Sequence, residues 1–214
     1  MNKLGNITLY NANCLEIMRT FSDEHFDLAI VDPPYGGVFS GDKIDRTGGS
    51  WSKKYGKKIN YWDVAPDEEY FLELFRVSKN QIIWGGNYFN LPPTRCFLVW
   101  RKLTISEEFS MSMCEYAWTS FNANAKWIEI APQGNAKENR FHPTQKPVSL
   151  YAWILNKFAK QGDTILDTHL GSGSICIAAH CLEFELTGIE IDTEYYNSAK
   201  KRLQQHQKQL KIFV

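Results

Sequence analysis

The chain has no Cys-x-x-Cys pair, no net charge and no apolar run long enough to span a bilayer. Its five cysteines, Cys14, Cys96, Cys114, Cys176 and Cys181, stand at no usual metal spacing with histidines. They read as reduced, mostly buried thiols of a cytoplasmic protein, and no metal is expected. Lys and Arg number 24, as do Asp and Glu, so no overall basic field draws the chain to nucleic acid. Any such contact has to come from a local patch. The amino terminus carries no signal-peptide core, and a membrane partner is not expected. Low-complexity segments and internal repeats are also lacking. What remains is 214 residues, 43% hydrophobic and 22% charged, which fits one globular domain over 1–214 with a proper core.

The most informative stretch is Leu28-Ala29-Ile30-Val31-Asp32-Pro33-Pro34-Tyr35-Gly36-Gly37. A short apolar run of β-propensity ends abruptly at an acid, two prolines, an aromatic ring and two glycines. This reads as a buried strand followed by turn chemistry. Each proline fixes its own φ and biases the preceding residue toward extended geometry. The result is a stiff hook with a carboxylate, free carbonyls and an aromatic face. Such a hook suits a planar ligand carrying an NH2 group.

In chain order, Ile7–Tyr10 reads as a strand and Cys14–Met18 as a short helix. The strand at 27–32 follows, which makes a βαβ unit and a parallel sheet. Residues 36–66 lack periodicity and are rich in glycine. They carry Lys43, Arg46, Lys53, Lys54, Lys57 and Lys58 beside Trp51, Tyr55, Tyr61 and Trp62. Basic groups interleaved with aromatics suit nucleic acid; a solvated loop is the plainer alternative. A helix is expected from Asp67 to about Val77, then strands at 81–84, 96–100 and 116–120. Residues 121–141 read as irregular, and Pro147 to about Ala159 as a helix with one apolar side.

Asp163–Asp167 reads as a strand ending in an acid, followed by the small-residue loop Thr168–Ser174 and a helix over Ile175–Leu182. This order points backbone N–H groups toward a ligand at a helix amino terminus. The next strand, Leu186–Asp192, ends in acids, where ribose hydroxyls are held in such units. The third glycine of the dinucleotide fingerprint is missing, since Cys176 stands there. A single nucleoside-bearing cofactor therefore fits better than a dinucleotide. A dinucleotide oxidoreductase stays as the other enzyme reading.

Asp32–Tyr35, the His142-Pro143-Thr144-Gln145-Lys146-Pro147 element and the Asp167–Gly173 loop occur in that order over nearly the whole chain. In this the chain resembles DNA amino-methyltransferases (adenine-N6 or cytosine-N4) of the circularly permuted β class that use S-adenosylmethionine. Its small size and the Trp84–Phe89 element are similar to phage and prophage members. The resemblance implies a Rossmann-like α/β fold: a mostly parallel seven-stranded sheet with one antiparallel strand and helices on both faces. It also implies site-specific methyl transfer to a flipped-out base of DNA, of the restriction-modification kind. Asp32, Pro33, Pro34 and Tyr35 would be catalytic, with Tyr35 stacking on the base. Asn13, His142, Thr144, Lys146, Asp167, His169, Gly171, Ser172, Gly173 and Glu190 would bind the cofactor. Lys146 would hold its methionine end and Glu190 its ribose.

Some residues depart from the family pattern. Asn13 stands where Asp is frequent, and Thr168 and His169 stand where a Phe is usual. With little room for a target-recognition insertion, sequence choice falls to 36–66 and 121–141. Asp at position 32 favours adenine N6. Cytosine N4 and a non-catalytic nucleic-acid-binding protein of the same fold are the alternatives. Family members often dimerise, and the aromatic middle third offers a face for a homodimer.

Overall fold

The computed structural model describes residues 1–36, 64–108, 112–134 and 140–210. Its centre is a nine-stranded sheet in the order β1-β2-β9-β8-β3-β4-β6-β5-β7. The strands are β1 (Asn2–Leu4), β2 (Ile7–Asn11), β3 (Phe26–Val31), β4 (Ser78–Trp84), β5 (Phe97–Arg101), β6 (Cys114–Thr119), β7 (Lys126–Glu129), β8 (Thr164–Asp167) and β9 (Glu185–Glu190). The helices are α1 (Cys14–Met18), α2 (Glu68–Val77), α3 (Val148–Phe158), α4 (Ser174–Cys181) and α5 (Thr193–Leu210).

β3 lies between β8 and β4, parallel to both, and is buried on both faces. That is why it reads as a nearly unbroken apolar run rather than an alternating one. Ile7, Leu9, Leu28 and Ile30 face Leu150, Ile154, Ile175 and Leu203, from α3, α4 and α5. Ala29, Val31, Ile83 and Leu166 face Met18, Tyr70 and Leu74, from α1 and α2. The sheet thus forms the middle of three layers.

The expected seven strands are present, with β6 antiparallel to β4 and β5. Two edge strands add to them: β1 pairs antiparallel with β2, and β7 parallel with β5. β7 corrects the reading of 121–141 as irregular. Its four residues, Lys-Trp-Ile-Glu, gain their order from the register against Leu98–Arg101. So short a strand carries little periodicity of its own.

From β8 the chain crosses through α4 to β9 on one side, and from β3 through α2 to β4 on the other. The crevice between β8 and β3 is therefore the switch point of the sheet, where ligands of open α/β folds bind.

Candidate functional site

A cavity of about 620 Å³ opens at the carboxyl ends of β2, β3, β8 and β9. Asp32–Tyr35 form one wall. Asn13, His142, Thr144, Lys146, His169, Gly171, Ser172 and Glu190 also line it, so most of the expected site residues converge. Val64–Asp67 and Tyr70 close another side.

The hook is held more tightly than its sequence suggests. Tyr35 Oη donates to Asp32 Oδ1 at 2.7 Å. The Tyr35 ring stacks on Tyr88, with centroids 4.8 Å apart. The ring also lies against Gly85, whose φ is +67°. A Cβ at Gly85 would fall 2.1 Å from the ring, so only glycine fits. Tyr35 thus anchors Asp32, stacks on Tyr88 and lines the cavity.

Asp32 Oδ2 accepts from Lys146 Nζ in a buried ion pair. Lys146 Nζ also lies 3.0 Å from Glu115 Oε2, and over the Trp84 ring at 5.2 Å from its centroid. Lys102 Nζ reaches Glu115 from the other side at 2.7 Å. Burial penalises the Glu115 charge, but Lys146 and Lys102 outweigh it and hold the carboxyl below its ordinary value. Lys146 is correspondingly held above its own, since Asp32 and Glu115 outweigh the cost of its burial. Lys146 thus pairs with the hook's carboxylate and also lines the cavity.

Sequence reasoning misses Glu115 and Lys102. A signal for Glu115 exists: it shares a face with Ala117 on β6, and that face enters the core. A lone acid at such a position needs a buried cation.

Across the cavity, Glu190 ends β9. Its Oε2 accepts from the Gly171 N–H at 2.7 Å and its Oε1 from the Asp192 N–H at 2.9 Å. Burial raises its carboxyl above the ordinary value despite those bonds. Each oxygen retains room for another donor. Gly171, at φ +51°, lets the His142 ring approach; a Cβ there would lie 3.3 Å from it. Burial holds the His142 imidazole down to about 3, so it is neutral at physiological pH. Its Nδ1 lies 3.2 Å from Thr144 Oγ1. Burial likewise holds His169 at about 4, with Nδ1 2.9 Å from Thr168 Oγ1.

Two expected cofactor residues stand behind the wall. Asp167 is buried, and its Oδ1 accepts from the His169 N–H at 3.0 Å. It shapes the loop from within, without lining the cavity. Gly173 caps α4 at φ +66° against Ala199 of α5. Asn13 lines the cavity, but its side-chain oxygen already accepts from the Leu15 N–H at 2.9 Å and caps α1. Lys43, Arg46, Lys53, Lys54, Lys57 and Lys58 lie outside the described residues, as does 135–139 of the second expected loop. Among the described residues no His, Cys, Asp or Glu cluster could hold a metal ion, and no helix is long and apolar enough to cross a membrane.

Residues 111–201 match the N6/N4 methyltransferase family, described as DNA methylase. The chain is 25% identical to the Type II methyltransferase M2.MboI of Moraxella bovis, over 92% of this chain and 87% of that protein. Its fold is similar to that of the M1.HpyAVI–SAM complex, with a TM-score of 0.59 and 22% identity over 92% of this chain and 100% of that one. It is also similar to the PvuII DNA methyltransferase, which is cytosine-N4-specific: TM-score 0.62, 14% identity, 92% of this chain and 86% of that one.

Proposed function

We propose that this chain, a member of the N6/N4 DNA methyltransferase family, transfers a methyl group from S-adenosylmethionine to the N6 amine of adenine in DNA. One observation carries the reading: the Asp32–Tyr35 hook and the Glu190–Gly171 pair open into the same cavity at the switch point of the sheet. The order of the two halves, hook before glycine loop, supports a circularly permuted arrangement.

The donor set fits the cofactor. Glu190 is a buried carboxylate whose orientation two backbone amides fix. It offers acceptors to a pair of ribose hydroxyls. A cavity of about 620 Å³ with aromatic and neutral imidazole walls suits a nucleoside. When bound, S-adenosylmethionine supplies a methyl group activated by its positive sulfur. The protein's own share of the work is positioning and electrostatics.

That share falls mainly to Asp32 and Pro33. The lone pair of an exocyclic amine is delocalised into its ring. Hydrogen bonds from the NH2 group to the Asp32 carboxylate and the Pro33 carbonyl favour a tetrahedral nitrogen and free that lone pair to attack. Pro33 and Pro34 keep the hook extended. Tyr35 and Lys146 fix the carboxylate in place. The base has to leave the duplex stack to reach this hook.

Asp at position 32 favours adenine over cytosine. Cytosine N4 is the second reading, favoured by the likeness to the PvuII enzyme. Labelled methyl transfer into unmethylated plasmid, followed by chromatography of the hydrolysed bases, separates the two. N6-methyladenine is expected. N4-methylcytosine would overturn the base assignment, and no labelled base would overturn the function.

A further inference from the structure

Asp32, Lys146, Glu115 and Lys102 form a chain of alternating charge that starts at the cavity wall. The four formal charges cancel, and both lysines are almost fully buried. Each lysine also lies over a tryptophan, Lys146 over Trp84 and Lys102 over Trp100. A single ion pair would be enough to anchor the hook. A lone ammonium against Asp32, however, would neutralise most of the charge that an incoming amine needs. Glu115 competes for that ammonium, and Lys102 limits the competition.

We propose that Glu115 and Lys102 are positioning residues of the transfer reaction, which set the share of the Lys146 charge that reaches Asp32. This rests on Asp32 being the acceptor for the amine, as proposed above. Removing the Glu115 charge leaves Lys146 to Asp32 alone and takes away a nearby negative charge. Asp32 then holds the ammonium more closely and accepts more weakly from the amine. Removing the Lys102 charge has the opposite sign: Glu115 draws Lys146 away, and Asp32 accepts more strongly from the amine.

The other titratable groups facing this chain come from three directions. Tyr35 lies on the hook and Tyr151 on α3. Burial pushes both hydroxyls well above their ordinary range, so they stay neutral. Burial holds His142, from the loop before α3, at about 3. Burial pushes Asp167, at the end of β8, up to about 8, with Asp32 and Glu190 adding to it. Asp167 therefore titrates on the alkaline side.

The test is single-turnover transfer of labelled methyl into plasmid DNA by the full chain, between about pH 5 and 9. Glu115→Gln should slow transfer about 10-fold. Lys102→Gln, of the opposite sign, should not slow it. Glu115→Asp keeps the charge and should restore the rate. Cofactor affinity by calorimetry should change little in all of them. A purely structural role would slow transfer in both Gln variants in step with their loss of melting temperature, and that result overturns the proposal. Should Glu115→Gln fail to fold, the Lys102→Gln rate decides. A wild-type chain that transfers no methyl removes Asp32's role and this proposal together; wild-type transfer with equal slowing in both Gln variants removes this proposal alone.

Discussion

Asp32 has two partners at once, and each sets a condition on how it acts. Tyr35 and Lys146 occupy one lone pair on each oxygen, leaving others for an amine. Asp32→Ala should cut methyl transfer by roughly two to three orders of magnitude, the scale of losing one positioned transition-state partner. It should also lower stability, because Lys146 would stay buried with Glu115 as its remaining carboxylate. Single-turnover kinetics beside thermal melting separates the two effects. Glu190→Ala should leave the hook intact and weaken S-adenosylmethionine binding by roughly 1–3 kcal/mol, read by calorimetry. Asp167 makes a pH prediction. Burial pushes its carboxyl up to about 8, from an unfolded value near 3.8. Between those values the folded chain binds the extra proton, so the contribution is full below the unfolded value and is lost as pH rises toward 8. His142 and His169, held at about 3 and 4 by burial, act the other way: their contribution is lost as pH falls below about 6.5. Asp167→Asn mimics the protonated acid and should flatten the fall in melting temperature between neutral pH and pH 8. An unchanged profile would mean that Asp167 is ionised throughout. The hook, the glycine loop and Glu190 were legible because each is a local pattern at a strand end. Glu115 and Lys102 were not, because their meaning lies in a contact between β6, the end of β5 and the loop before α3. Nothing beside Lys102 announces that contact, and for Glu115 only its place on the core-facing side of β6 does.

At the scale of elements, the segment after β4 explains why the hook keeps its shape. Trp84 lies under Lys146, Gly85 makes room for Tyr35, and Tyr88 stacks on it from a short 3-10 turn. The sequence tied Trp84–Phe89 only to phage and prophage members of the family, not to the seat of the hook. β3 and β4 are adjacent parallel strands, and their carboxyl ends meet only through tertiary pairing. Gly85→Ala places a Cβ within the Tyr35 ring and forces a left-handed residue. It should destabilise the chain by roughly 1–3 kcal/mol. It should also lower turnover by displacing Tyr35 from Asp32. Gly162 is a control, since its φ is +94° but no atom lies within 4 Å of its Cβ position. Gly162→Ala should strain the backbone without touching turnover. Melting curves and transfer rates for the pair distinguish a missing ring seat from general backbone strain. Equal turnover losses in both would show that Gly85 has no special tie to the hook. The helices and central strands were legible from periodicity to within a few residues. β1 and β7 were not, being three and four residues long and ordered by their neighbours.

For the whole molecule, the balance of charge is the quantity that bears on DNA. Lysines and arginines equal aspartates and glutamates at 24 each, so attraction to a polyanion has to be local. The cavity wall indicates where. Pro34 and Tyr35 line it just before residue 37, and Val64, Ala65 and Pro66 line it just after residue 63. The two ends approach closely: a Cβ on Gly36 would lie 2.8 Å from the Cβ of Ala65. The stretch that bears Lys53, Lys54, Lys57 and Lys58 therefore leaves and rejoins the fold at the mouth of the site. Replacing these four lysines with Ala should weaken DNA binding. It should also flatten the log–log salt dependence by about 0.9 for each phosphate that is no longer neutralised. Cofactor affinity should hold, because Glu190, Gly171 and His142 come from the other half of the chain. Fluorescence anisotropy of labelled duplex over a salt series measures the slope, and calorimetry measures the cofactor. A weaker complex with an unaltered slope would assign the effect to folding rather than to phosphate binding. An unaltered complex would move DNA binding to another face.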